Sequence, residues 1–184
     1  MKRRVFLSPL LKIFKKLLTL AFSFLFINMA FASHEHRSAR QQGQVQNKRA
    51  GKQVEITEEL LDALILVESS NDPRAHRHST GARGLTQITP AAWKDLVAHY
   101  PAKYAKLKYR HDIFRPDVAR EAARDYLKIL ARYLKARDIP ITLDNLLAGY
   151  NWGVRKLDKY GLQNAPRETK RYVLKIKRRL QYYL

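Results

Sequence analysis

The chain has 184 residues, 46% of them hydrophobic, with 36 Lys and Arg against 16 Asp and Glu, a formal charge of +20. It contains no Cys, which excludes a disulfide framework and a lipid-modified Cys behind a leader. The excess of cations predicts attraction to a polyanion: nucleic acid, anionic lipid or an acidic wall polymer.

The N-terminus reads as an export signal. Lys2, Arg3, Arg4, Lys12, Lys15 and Lys16 form a basic start, and Leu17 to Ala32 is an apolar run without charge. Ala30-Phe31-Ala32 then offers small residues at the two positions a signal peptidase reads, so cleavage is expected before Ser33. The run is shorter than the about 20 residues of a membrane span. An uncleaved inner-membrane anchor is the alternative. Export to the periplasm argues against nucleic acid as the partner. Cleavage leaves 30 basic and 16 acidic groups, +14, which still favours an anionic wall or membrane surface.

Residues 33–53 are rich in Gln, Arg and His and almost free of apolar side chains, the composition of a flexible basic leader. His34 and His36 there read as solvated residues, not as metal ligands. Residues 54–184 are enough for one compact domain.

The first helix is expected over Glu58 to Ser69, with Thr57 as N-cap and acids in its first turn. Leu61, Leu64 and Ile65 form one apolar face, and the next residue on that face is Glu68. A carboxylate in an apolar stripe loses solvation, which raises its pKa and suits a general acid. The plain alternative is a Glu at the edge of the face with its carboxylate reaching water. The turn sequence Ser69-Ser70-Asn71-Asp72-Pro73 follows. Gly81-Ala82-Arg83-Gly84-Leu85-Thr86-Gln87-Ile88-Thr89-Pro90 comes next, its glycines permitting close backbone approach.

Thr89 and Pro90 open a second helix through Trp93 and Leu96. A linker with one short helix is expected around Tyr104 to Tyr109. The longest helix runs from Pro116 to near Ala136, its core face made of Ala119, Ala123, Tyr126, Leu127, Leu130 and Leu134. A helix from about Thr142 ends in Leu147-Ala148-Gly149-Tyr150-Asn151-Trp152-Gly153, and a short one follows to Tyr160. Pro166 opens a basic amphipathic helix with Tyr172, Val173, Ile176 and Leu180 inward. Lys170, Lys175, Lys177, Arg178 and Arg179 face outward. No strand or internal repeat is evident, so the fold class is all-α, six to seven helices on one core.

Four stretches occur in one order: Glu68-Ser69; Gly81-Ala82-x-Gly84-Leu85-x-Gln87-Ile88-x-Pro90; Ala148-x-Tyr150-Asn151-x-Gly153; and Glu168-Thr169-x-x-Tyr172-Val173. Together they resemble the catalytic domain of the soluble-type lytic transglycosylases, lysozyme-like enzymes that cleave bacterial peptidoglycan. The resemblance covers about Glu55 to Tyr183. It implies that Glu68 is the sole catalytic acid/base. Gln87 and the Gly84 loop would line the glycan groove, and Tyr150 and Asn151 would approach the scissile sugar. Glu168 would be an acid near the site, and Ser69 would support the helix end or contact substrate. The chain departs from the family where the Glu68–Gly81 spacing is one residue longer. His78 and Ser79 compete for the place of the family's loop serine. Ala119, Ala123 and Thr86 stand where Asn, Gly and Met are usual.

The resemblance also implies the chemistry. Glu68 protonates the oxygen leaving N-acetylmuramic acid, and the substrate's own N-acetyl group stabilises the oxocarbenium-like centre. The sugar's tethered 6-hydroxyl then closes on the anomeric carbon and leaves a 1,6-anhydromuramyl end, with no cofactor or metal. Two rivals stand beside it. A goose-type lysozyme would use water and a second carboxylate, for which Asp72, Asp95, Asp144 and Glu168 are the candidates. A non-catalytic cationic wall- or membrane-binding protein would use the basic last helix. The expected partners are peptidoglycan glycan strands, met by a monomer. Service to wall recycling or to a secretion or conjugation machine stays open.

Overall fold

The computed structural model describes residues 54–182, which belong to one compact unit, Lys52–Leu184. The expected signal peptide and the leader, with His34 and His36, lie outside the described residues. The fold is an all-α assembly with one minimal hairpin.

Helix α1 (Glu58–Ser69) begins where the Thr57 hydroxyl accepts from Leu60 N–H. It buries Leu60, Leu61, Ala63, Leu64 and Ile65, each contributing about 1.5–3 kcal/mol for the larger side chains. The helix stops because Ser70 and Asn71 both take left-handed backbone, with φ of 54° and 67°. The chain then enters a hairpin in which β1 (His76–Arg77) pairs antiparallel with β2 (Ala82–Arg83). This corrects the expectation of a strand-free chain. Two-residue strands are too short for alternation to register in the sequence.

Thr89 caps α2 (Pro90–His99), accepting from Ala92 N–H. The linker holds two one-turn helices, α3 (Pro101–Tyr104) and α4 (Tyr109–Asp112), on either side of residues 105–108, where a single short helix was expected. The break lets Tyr104 bury its ring edge-on to Trp93 while Tyr109 reaches the hairpin. The 20-residue α5 (Pro116–Lys135) is about 30 Å long and forms the centre of the domain.

Helix α6 (Leu143–Trp152), short α7 (Val154–Tyr160), a 3₁₀ turn (Leu162–Asn164) and α8 (Arg167–Leu180) complete the described chain. Among these residues there are eight α-helices. Helix α8 packs against both α1 and α6, bringing the last helix onto the first.

Two apolar clusters fill the interior. One gathers Leu61, Leu64, Leu127, Leu147, Tyr172 and Ile176; the other gathers Ile65, Ile88, Trp93, Leu96, Tyr104 and Ile129. Tyr126, Tyr133 and Tyr150 pack against both and join them. Asp125, expected on no apolar stripe, is 1% exposed on the inner side of α5. Its carboxylate accepts from Tyr104 Oη at 2.9 Å and pairs with Lys103 at 2.7 Å and Lys128 at 3.1 Å. A buried charge needs such partners.

Candidate active site

Glu68 sits on the last turn of α1, where the apolar stripe of that helix meets α8. A groove of about 320 Å³ opens over it, lined by Glu68, Arg77, Asn151, Glu168, Tyr172 and Lys175 among others. Three separate elements therefore converge: the end of α1, the hairpin, and the α6–α8 pair. The Tyr172 hydroxyl donates to Glu68 Oε1 at 2.6 Å. Burial pushes the Glu68 carboxyl up to about 7, against the opposing pull of the Tyr172 bond and of the Arg77 charge. The carboxyl thus holds a proton close to neutrality. With Oε1 occupied as an acceptor, Oε2 is left to carry and deliver that proton.

Asn151 projects from the end of α6, and its Oδ1 accepts from the Thr169 hydroxyl at 2.9 Å. That bond fixes the amide so that its NH₂ group remains a free donor on the groove side. Thr169 itself is buried, one residue after Glu168. Glu168 stands exposed in the first turn of α8 and lines the same groove. Tyr150 is drawn inward instead. Its hydroxyl donates to the Thr86 carbonyl at 2.7 Å and its ring lies edge-on to Tyr126. Burial, and next the nearby Glu68 charge, raise its pKa well above the ordinary phenol value.

Two residues expected against the glycan, Gln87 and Gly84, are occupied elsewhere, and Ser69 takes the first of its two expected roles, at the helix end. Gln87 is 9% exposed, and its amide NH₂ donates to the carbonyls of Ala75 and Gly84 at 3.1 and 3.0 Å. It clamps the loop beneath the site rather than facing the groove. Its φ of 47° shows how tightly that turn is drawn. Gly84 is buried against the Ile113 carbonyl, which a Cβ would meet at 2.3 Å. The Ser69 hydroxyl donates back to the Ile65 carbonyl at 3.2 Å, finishing α1.

Conversely, Arg77, Thr169 and Lys175 line or brace the groove without having been expected there. Arg77 reaches the groove from the hairpin strand β1, while His78 and Ser79 lie exposed at the hairpin turn. Lys175, read as outward-facing, lies one helical turn past Tyr172 and therefore on the groove side. Tyr172 was legible as a core residue and as part of a motif; its bond to Glu68 was not.

The candidate second carboxylates separate clearly. Asp72 accepts from Arg74 N–H at 2.8 Å within its own turn. Asp144 pairs with Lys177 at 2.8 Å. Asp95 lines a different recess, beside Tyr133 and Trp152. Glu168 alone of these four lines the groove of Glu68.

Residues 46–173, more than half of the chain, match the family described as Transglycosylase SLT domain. The chain belongs to that family. No curated protein matches it. The SLT domain is the lysozyme-like catalytic domain of the lytic transglycosylases, and its substrate class is peptidoglycan, a polymer found outside the cytoplasmic membrane. Among the described residues of this SLT domain no helix is long and apolar enough to cross a membrane.

Proposed function

We propose that this SLT domain cleaves the β-1,4 bond between N-acetylmuramic acid and N-acetylglucosamine with Glu68 as its only acid/base, producing 1,6-anhydromuramyl ends. The observation that carries the proposal is the placement of Glu68, a carboxyl at the end of the apolar stripe of α1, bonded by Tyr172 and open to a groove. Glu68 is held near pKa 7 by burial, oriented by Tyr172, and open to a groove. It delivers its proton to the leaving oxygen, and the charge developing on the sugar is met by the substrate's own N-acetyl group. The free NH₂ of Asn151 is placed to hold that group through its carbonyl oxygen. Glu68, now ionised, takes the proton of the 6-hydroxyl as that oxygen closes the anhydro ring. A tethered nucleophile has an effective concentration far above that of a free alcohol, which is how it outcompetes water.

A lysozyme reaction is the second reading, and one observation favours it. Glu168 shares the groove and could serve as base for a water if it stands roughly 6.5–9.5 Å from the acid. Its exposure and its place in the first turn of α8 fit equally a charge that complements the helix dipole. Digestion of purified peptidoglycan and mass spectrometry of the fragments decides. Products one water lighter than the hydrolytic ones are expected, and a digest dominated by reducing muramic ends would transfer the base role to Glu168.

The export signal over residues 1–32, with cleavage before Ser33, and a leader over residues 33–53 ahead of the catalytic domain belong to the same proposal. They would deliver a monomeric enzyme to the periplasm, where a secretion or conjugation machine or wall recycling would use it. N-terminal sequencing of the protein recovered from the periplasm tests this, with Ser33 as the expected first residue.

A further inference from the structure

The groove over Glu68 does not end at Lys175. It continues into a recess of about 690 Å³ lined by Leu66, Val67, Lys175, Arg178, Arg179 and Tyr182, and it shares Val67 and Lys175 with the groove. On α8 the residues facing this track recur every three or four positions, Glu168, Arg171, Lys175 and Arg178, and Tyr182 follows just past its end. From Glu168 to Arg178 the helix rises about 15 Å. An extended peptide of four or five residues has that length.

The cations of the recess are uncommitted. Lys177, on the opposite side of the same helix, is paired with Asp144 at 2.8 Å. Lys175, Arg178 and Arg179 have no carboxylate within 4.0 Å among the described residues. Three neighbouring positive charges above a floor of Leu66 and Val67 suit a ligand that is apolar along its length and carries carboxylates. The family match ends at Val173, so Leu66 and Val67 of the recess lie within the matched stretch and its cations, Lys175, Arg178 and Arg179, lie past it.

We infer that the recess binds the carboxylate-bearing stem peptide of the glycan, held by Lys175, Arg178 and Arg179 while the sugar lies over Glu68. The inference rests on the peptidoglycan-cleaving role proposed above, because muramic acid carries such a peptide on its lactyl group next to the bond that breaks. A bilayer is a poorer occupant. The recess is concave and opens beside the acid, whereas a planar surface meets convex faces, and Leu174 and Tyr182 are the large apolar side chains that α8 and its end expose.

The test is binding rather than turnover. In a Glu68→Gln background, dissociation constants are measured for peptidoglycan oligosaccharides bearing stem peptides and for the same chains after an amidase has removed them. The stem-bearing chains are expected to bind about tenfold more tightly, and Arg178→Gln with Arg179→Gln to erase the difference. Equal affinities for the two ligands, or a difference that survives the double substitution, overturn the inference. So does an equal weakening on both ligands, which would mean diffuse charge attraction. Vesicles containing phosphatidylglycerol form a third arm: binding there that is lost in the double variant, with the peptide effect intact, assigns the recess to lipid. Cleavage of denuded chains by the unsubstituted protein is read separately. Failure on stem-bearing chains as well would sink the transglycosylase proposal while the affinity difference still stood.

Discussion

The hydroxyl of Tyr172 donates to Oε1 of Glu68 across 2.6 Å, linking residues 104 positions apart and tying the last helix to the first. The bond favours the ionised carboxylate, so it opposes the burial that raises the pKa. Removing it in Tyr172→Phe shifts the alkaline limb of the kcat–pH profile upward. It also lowers kcat by about tenfold, the size expected of one lost hydrogen bond to a charged group. A profile unmoved in pH would separate Tyr172 from the titration of Glu68.

Glu68→Gln removes the ionisable proton and keeps an amide oxygen for Tyr172 to bond. Wall-cleaving activity is expected to fall below a few per cent of the unsubstituted protein. Stability moves the other way, with a definite pH dependence. In the unfolded chain the carboxyl ionises near 4.5, in the folded one near 7. Below pH 4.5 both states hold the proton and the site carries no penalty. Between these values the unfolded state releases it first, so folding loses up to about 3 kcal/mol by the time pH exceeds 7. Thermal melts at pH 4 and pH 8 check this: the variant gains on its parent at pH 8 and not at pH 4. A variant that melts lower at both values would make the acid a structural one.

Asp125 has the opposite sign. Burial acts to raise its pKa, but the hydrogen bonds from Lys103, Tyr104 and Lys128 outweigh it and hold the carboxyl below its ordinary 3.8. Its stabilisation is therefore full above pH 4 and disappears as acid protonates the folded form. Asp125→Asn is expected to cost about 2 kcal/mol at pH 7 and less at pH 3, as seen by urea melts. The lysine partners are nearly half exposed, which keeps the figure modest. A loss of the same size at both pH values would remove the charge from the explanation.

Gly84→Ala tests the loop beneath the site. The position has φ of 73°, and an added Cβ would meet the Ile113 carbonyl oxygen at 2.3 Å, which is backbone and cannot swing away. Strain and collision together are expected to cost on the order of 3 kcal/mol in a thermal melt. Activity should fall with it, because the same loop receives the hydroxyl of Tyr150 through the Thr86 carbonyl. A variant with an unchanged melting temperature would show that the loop can retreat from Ile113.

Long-period features were legible in the sequence. The stripes of α1 and α5 fixed both helices, and Glu68 stood out because it breaks an apolar repeat. Features that depend on distant partners were hidden. Gln87 and Gly84 sit on the expected loop, but their direction is set by Ala75 and by Ile113, 29 residues beyond Gly84, contacts that no local spacing encodes. Asp125 reads as a surface acid until Lys103 and Tyr104 fold over it. Arg77 lies in a two-residue strand, too short for its sequence to give the side chain a direction in advance.

The contact of α8 with α1 also sets an order of events. Synthesis runs from the N-terminus, so α1 exists long before Tyr172 has been made. Until α8 docks, Glu68 has water where the groove wall will be, its carboxyl titrates as an ordinary acid, and no cleft is present to hold a sugar. A chain interrupted anywhere before α8 therefore carries the acid without the weapon. A domain of a peptidoglycan-cleaving family that matures in this order has no formed groove until its last helix is in place.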